Sequence, residues 1–186
     1  MGTSISRSYH YTFHSIILFM RIFYTFLLLS LPLLSSAQNA ACACCTAEHD
    51  QFDFWMGDWE VFDLKNQKLG ENSIRKIEGD CILTEHWTGA KGTTGRSSNY
   101  YNPADSTWNQ LWLDNQGTIL VLKGKAAPNS MTLESDFVTA PSGTVYRNRI
   151  EWRLNDDGTV TQTWDAIGKD GAVLANVFKG IYRKKA

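Results

Sequence analysis

From Asp58 onward, apolar and polar residues alternate in short runs, and each run ends in turn-forming residues. Alternation of period two places successive side chains on opposite faces of a strand. Ten strands are expected, over 58–65, 71–77, 80–88, 95–102, 107–114, 117–125, 129–137, 144–154, 158–166 and 173–184. Between them fall turn signals such as Asn102-Pro103-Ala104-Asp105, Pro141-Ser142-Gly143 and Asn155-Asp156-Asp157-Gly158. No interval leaves room for a crossover helix, so neighbours in sequence pair antiparallel. An open meander of ten strands exposes two edges, and closure removes them. The expected fold class is therefore all-β: an up-and-down antiparallel barrel of about ten strands behind a short N-terminal helical turn. A two-sheet sandwich is the alternative.

Alternation also assigns faces. Val160, Gln162, Trp164 and Ala166 share the face opposite Thr159, Thr161, Thr163 and Asp165, and belong inside. Cys81, Leu83, Glu85 and Trp87 form a second such set. Trp108, Gln110 and Trp112 form a third, and Tyr146, Asn148, Ile150 and Trp152 a fourth. Ser97, Asn99 and Tyr101 are assigned inward too, on a strand polar on both faces. The interior then mixes aromatic rings with Glu85, Asn99, Gln110, Asn148 and Gln162. A polar group buried without a partner costs about 1–3 kcal/mol. Either a cavity holding water or a ligand satisfies these groups, or they bond one another across a packed core. The candidate ligand-binding residues are Glu85, Trp87, Asn99, Tyr101, Gln110, Trp112, Asn148, Trp152, Gln162 and Trp164.

Composition narrows the function classes. The formal net charge is -1, far from the basic face of a nucleic-acid binder. Charged residues make up 20% and seven Trp are present, which argues against disorder.

The N-terminal region reads as an address. Arg21 precedes the apolar run 22–34, and Ser35 and Ala37 occupy the small-residue positions of a cleavage site. Residues 1–37 are expected to be a signal peptide, with translation starting at Met20. The run is short for a membrane span, which needs roughly 20 residues; an uncleaved span that includes 16–19 is the alternative. Cleavage removes Arg7 and Arg21 and no acid, shifting the net charge to -3. A secreted or periplasmic protein follows. A lipid anchor at Cys42 is a further alternative, although Asn39 stands where a lipobox carries Leu.

Residues 38–50 form a leader holding Cys42, Cys44 and Cys45, and residues 51–186 the barrel, which contains Cys81. In an oxidising compartment these four are disulfide candidates. Adjacent Cys44 and Cys45 make a strained pair, so Cys81 is expected to bond one of the other three and pin the leader to the barrel. A soft-metal site with His49 is the alternative.

The segment Phe52-Asp53-Phe54-Trp55-Met56-Gly57-Asp58-Trp59-Glu60-Val61 is the most distinctive in the chain. It resembles the opening of lipocalins and other calycins. The resemblance implies that Trp59 closes one barrel end and packs on an Arg from the last strand, here Arg183. A closer resemblance is to an uncharacterised bacterial family of calycin-like (lipocalin- and nitrobindin-like) barrels that open with this motif. Its further motifs correspond to 79–87, 98–103, 108–114, 148–152 and 162–165, and it carries no known activity. Related haem-binding barrels use a His ligand. After residue 37 only His49 and His86 remain, one before the barrel and one on its outer face, so no cofactor is expected.

No nucleophile elbow, zinc-protease motif or phosphate loop is present. Glu85 is the single candidate acid or base, since a carboxyl among rings loses solvation; Arg149 and Glu151 contribute only if a bulge turns one inward. The expected function is binding of a small apolar, aromatic or sugar-like ligand. An enzyme centred on Glu85 and a structural protein with a filled core are the alternatives.

Overall fold

The computed structural model describes residues 42–185. The expected signal peptide and the start of the leader lie outside the described residues. Short hairpins break the alternating segments into eleven strands: β1 Gly57–Phe62, β2 Lys68–Ile77, β3 Ile82–Gly89, β4 Thr94–Asn102, β5 Thr107–Asp114, β6 Ile119–Ala127, β7 Ser130–Glu134, β8 Val138–Thr139, β9 Val145–Leu154, β10 Val160–Gly168 and β11 Val173–Lys184. The helical turn before the first strand is a 3-10 turn over Asp53–Trp55.

Every pairing is antiparallel. Strands β1 to β7 follow in order, β9 and β10 continue the series, and β11 pairs with both β10 and β1. The ring closes with ten strands and one extra, β8, which lies on β9 beyond the end of β7. The expected single strand 129–137 is interrupted after Glu134. There the Ser135 hydroxyl accepts the Asn148 N–H at 2.9 Å, a role a ladder carbonyl otherwise fills.

One end of the barrel is plugged. Phe52 and Trp55 stack with centroids 5.0 Å apart, and Trp152 lies 5.2 Å from each. Trp59 donates its indole N–H to Trp55 O at 2.8 Å. All four rings are buried, and each is worth about 3–5 kcal/mol against Ala. Lys76 of β2 reaches Asp50 and Asp53 and ties the turn to the wall.

The leader is stapled beside this plug. Cys44 bonds Cys81 and Cys42 bonds Cys45. Cys42, Cys45 and Asp80 bring possible metal-ligating atoms together, but both thiols are taken by their disulfide. Paired cysteines of this kind are typical of extracellular proteins. No helix among the described residues is long and apolar enough to cross a membrane.

The contact expected between Trp59 and Arg183 is replaced. Trp59 stands opposite Lys184 in the β1–β11 register, and Arg183 opposite Glu60. The Lys184 ammonium lies 4.2 Å from the Trp59 ring centroid and donates to Met56 O. Arg183 sits over Phe62, 4.5 Å from its centroid, on the outer surface. A single step of strand parity separates the two arrangements.

Candidate functional site

Inward positions of seven strands surround a cavity of about 360 Å³. Its rim includes Ala90 and Lys91 of the β3–β4 hairpin and Asp114 at the end of β5. The opposite end is the aromatic plug.

The wall is aromatic. Trp87 on β3, Trp112 on β5, Trp152 on β9, Trp164 on β10 and Phe178 on β11 all line it. Glycines seat two of these rings. A Cβ at Gly70 would lie 2.7 Å from Trp87, and one at Gly95 would lie 2.2 Å from Trp112. Glycine inside a strand commonly marks such an approach.

The floor is polar. Glu85 accepts from Asn72 Nδ2 at 2.6 Å through Oε1 and from Ser97 Oγ at 2.7 Å through Oε2. Asn99 donates to Ser97 Oγ and to Leu83 O, both at 2.9 Å, and accepts from Gln110 Nε2 at 2.8 Å. On the far side Tyr182 donates to Gln162 Oε1, and Asn72 Nδ2 lies 3.4 Å from the Tyr182 oxygen. Burial pushes the Glu85 carboxyl up to about 7, against the opposing pull of Asn72 and Ser97. Burial and the nearby Glu85 charge push the Tyr182 phenol upward.

Glu85, Trp87, Gln110, Trp112, Trp152, Gln162 and Trp164 all line the cavity. Three of the other residues named from alternation do not. Asn99 is fully buried inside the barrel beneath the lining residues, where it fixes Gln110. Tyr101 packs against Trp108 and His49 beside the plug. Asn148 holds the Trp164 indole N–H at 2.8 Å and so positions a wall residue. Arg149 and Glu151 remain outside, Arg149 bonded to Glu134 at 2.6 Å and Glu151 to Arg153. His86 is exposed, and His49 is buried against Tyr101.

The cavity and the cross-barrel network, expected as alternatives, occur together. The network joins the ends of these side chains to one another, and Glu85, Gln110, Gln162 and Tyr182 still border the cavity.

Asn72, Phe178 and Tyr182 complete the site without having been singled out by sequence. Their signal is the same alternation, in Gly70-Glu71-Asn72-Ser73-Ile74 and in Phe178-Lys179-Gly180-Ile181-Tyr182. No protein-family model matches the chain, and no curated protein matches it.

Proposed function

We propose that this protein is an exported, calycin-like barrel that binds a small molecule with a flat apolar face. The observation that carries this reading is the cavity of about 360 Å³, walled by four Trp and Phe178 over a polar floor. Rigid rings supply contact area, and a few fixed polar groups supply orientation. The plug rings Phe52, Trp55 and Trp59 pack below the cavity without lining it, and Trp152 is shared between the two.

The test is native mass spectrometry of protein purified from its own host, with Trp112→Ala alongside. A co-purified small molecule, lost or depleted in the variant, is the expected outcome. An empty wild-type protein that also fails to change its Trp fluorescence across a panel of aryl and sugar ligands would defeat the reading.

A second reading makes the barrel an enzyme with Glu85 as proton donor or acceptor. Its support is one carboxyl in the cavity, held near 7, where acid–base exchange is efficient. Turnover of the co-purified molecule, abolished in Glu85→Gln, would distinguish it from a carrier.

A further inference from the structure

Among the described residues Glu85 is the only acid on the cavity floor, and none of them supplies it a cation. Its two oxygens accept from Asn72 and Ser97, both neutral. It takes part in no salt bridge among the described residues. A carboxylate offers about four acceptor positions, and two are filled. The groups facing it from the packed strands are Asn72 on β2, Ser97 on β4, Gln110 on β5, Gln162 on β10 and Tyr182 on β11. Of these only Tyr182 titrates, and it bonds Gln162.

Above the carboxyl stand Trp87, Trp112, Trp152, Trp164 and Phe178. Aromatic faces carry negative charge density, and Trp attracts cations most strongly. The cationic side chains near the mouth do not oppose entry strongly. Lys68 is held by Glu60 and Glu71, Lys91 sits at an exposed hairpin, and Asp114 lies on the same rim.

Resting on the binding reading above, we infer that the ligand is an organic cation: an aryl or alkyl ammonium whose charge meets Glu85 and whose apolar part lies among the Trp rings. A neutral ligand leaves the carboxylate without a counter-charge, and an anion meets it head-on. The ammonium supplies the missing partner and is itself received by the rings as it leaves water.

The proposal has a signed pH dependence. Only the ionised carboxylate attracts a permanent cation, so apparent affinity follows the ionised fraction of Glu85. With the group titrating at about 7, affinity for an ammonium rises about thirtyfold between pH 5.5 and 8. A neutral acceptor ligand prefers the protonated carboxyl and shows the opposite slope.

The experiment titrates the mature protein with phenethylammonium and with its neutral isostere 2-phenylethanol, by calorimetry and Trp fluorescence, at pH 5.5 and 8. The amine stays protonated across this range. The expected result is ammonium binding at least about tenfold tighter than the alcohol at pH 8, rising with pH, and a pH-independent affinity in Glu85→Gln. The wild-type pH series stands alone if that variant fails to fold. Alcohol binding equal to or tighter than the ammonium, or affinity falling as pH rises, overturns the cation and leaves the binding module standing. If neither probe enters and the host-purified protein is empty, both fall.

Discussion

Glu85 has the most consequential single environment in the molecule. Its carboxyl titrates near 7 in the folded chain and near its ordinary value of 4.5 unfolded. The folded state therefore binds the extra proton between these limits. The group's contribution to stability is fully present below about pH 4.5 and is lost as pH rises through 7, a difference on the order of 3 kcal/mol. Urea midpoints of the ligand-free protein should fall from pH 5 to pH 8. Glu85→Gln should remove most of that fall and be the more stable protein at pH 8. A wild-type midpoint flat across this range would contradict the burial argument. The same residue thus opposes stability at neutral pH in exchange for a charge at the cavity floor.

At the scale of the element, the wall depends on which strand residue lacks a side chain. Trp112 occupies the space a Cβ on Gly95 would need, 2.2 Å away. Gly95→Ala should displace the ring, cost about 1–3 kcal/mol and alter the near-UV circular dichroism. An unchanged spectrum and midpoint would mean the ring moves without consequence. Strand positions and inward faces were legible in the sequence because each is a local property. Glu85, Gln110 and Trp164 stand where alternation put them. Height along the barrel axis was not legible, because it depends on the stagger between strands. Tyr101 points inward like Asn99, yet it lies beside the plug, and Asn99 lies beneath the residues that line the cavity. Closure of β11 onto β1 is likewise non-local. Its register decided that Lys184, and not Arg183, meets Trp59.

For the whole molecule, the leader staple is the main covalent constraint. The Cys44–Cys81 bond spans 37 residues, whereas Cys42–Cys45 spans 3. Chain entropy assigns the longer loop about 4 kcal/mol. The double variant Cys44→Ser/Cys81→Ser should lower the melting temperature by roughly 10 °C, and Cys42→Ser/Cys45→Ser by clearly less. Equal losses would show that the leader is held by its packing and not by the longer cross-link. The plug has a different consequence, for kinetics. With Phe52, Trp55, Trp59 and Trp152 filling one end, the described residues leave the opposite rim as the way in and out. A second ligand cannot push the first through, so exchange must wait for departure. In a competition experiment the release rate should then be independent of the competitor's concentration, and residence time becomes a property of the rim formed by the β3–β4 hairpin.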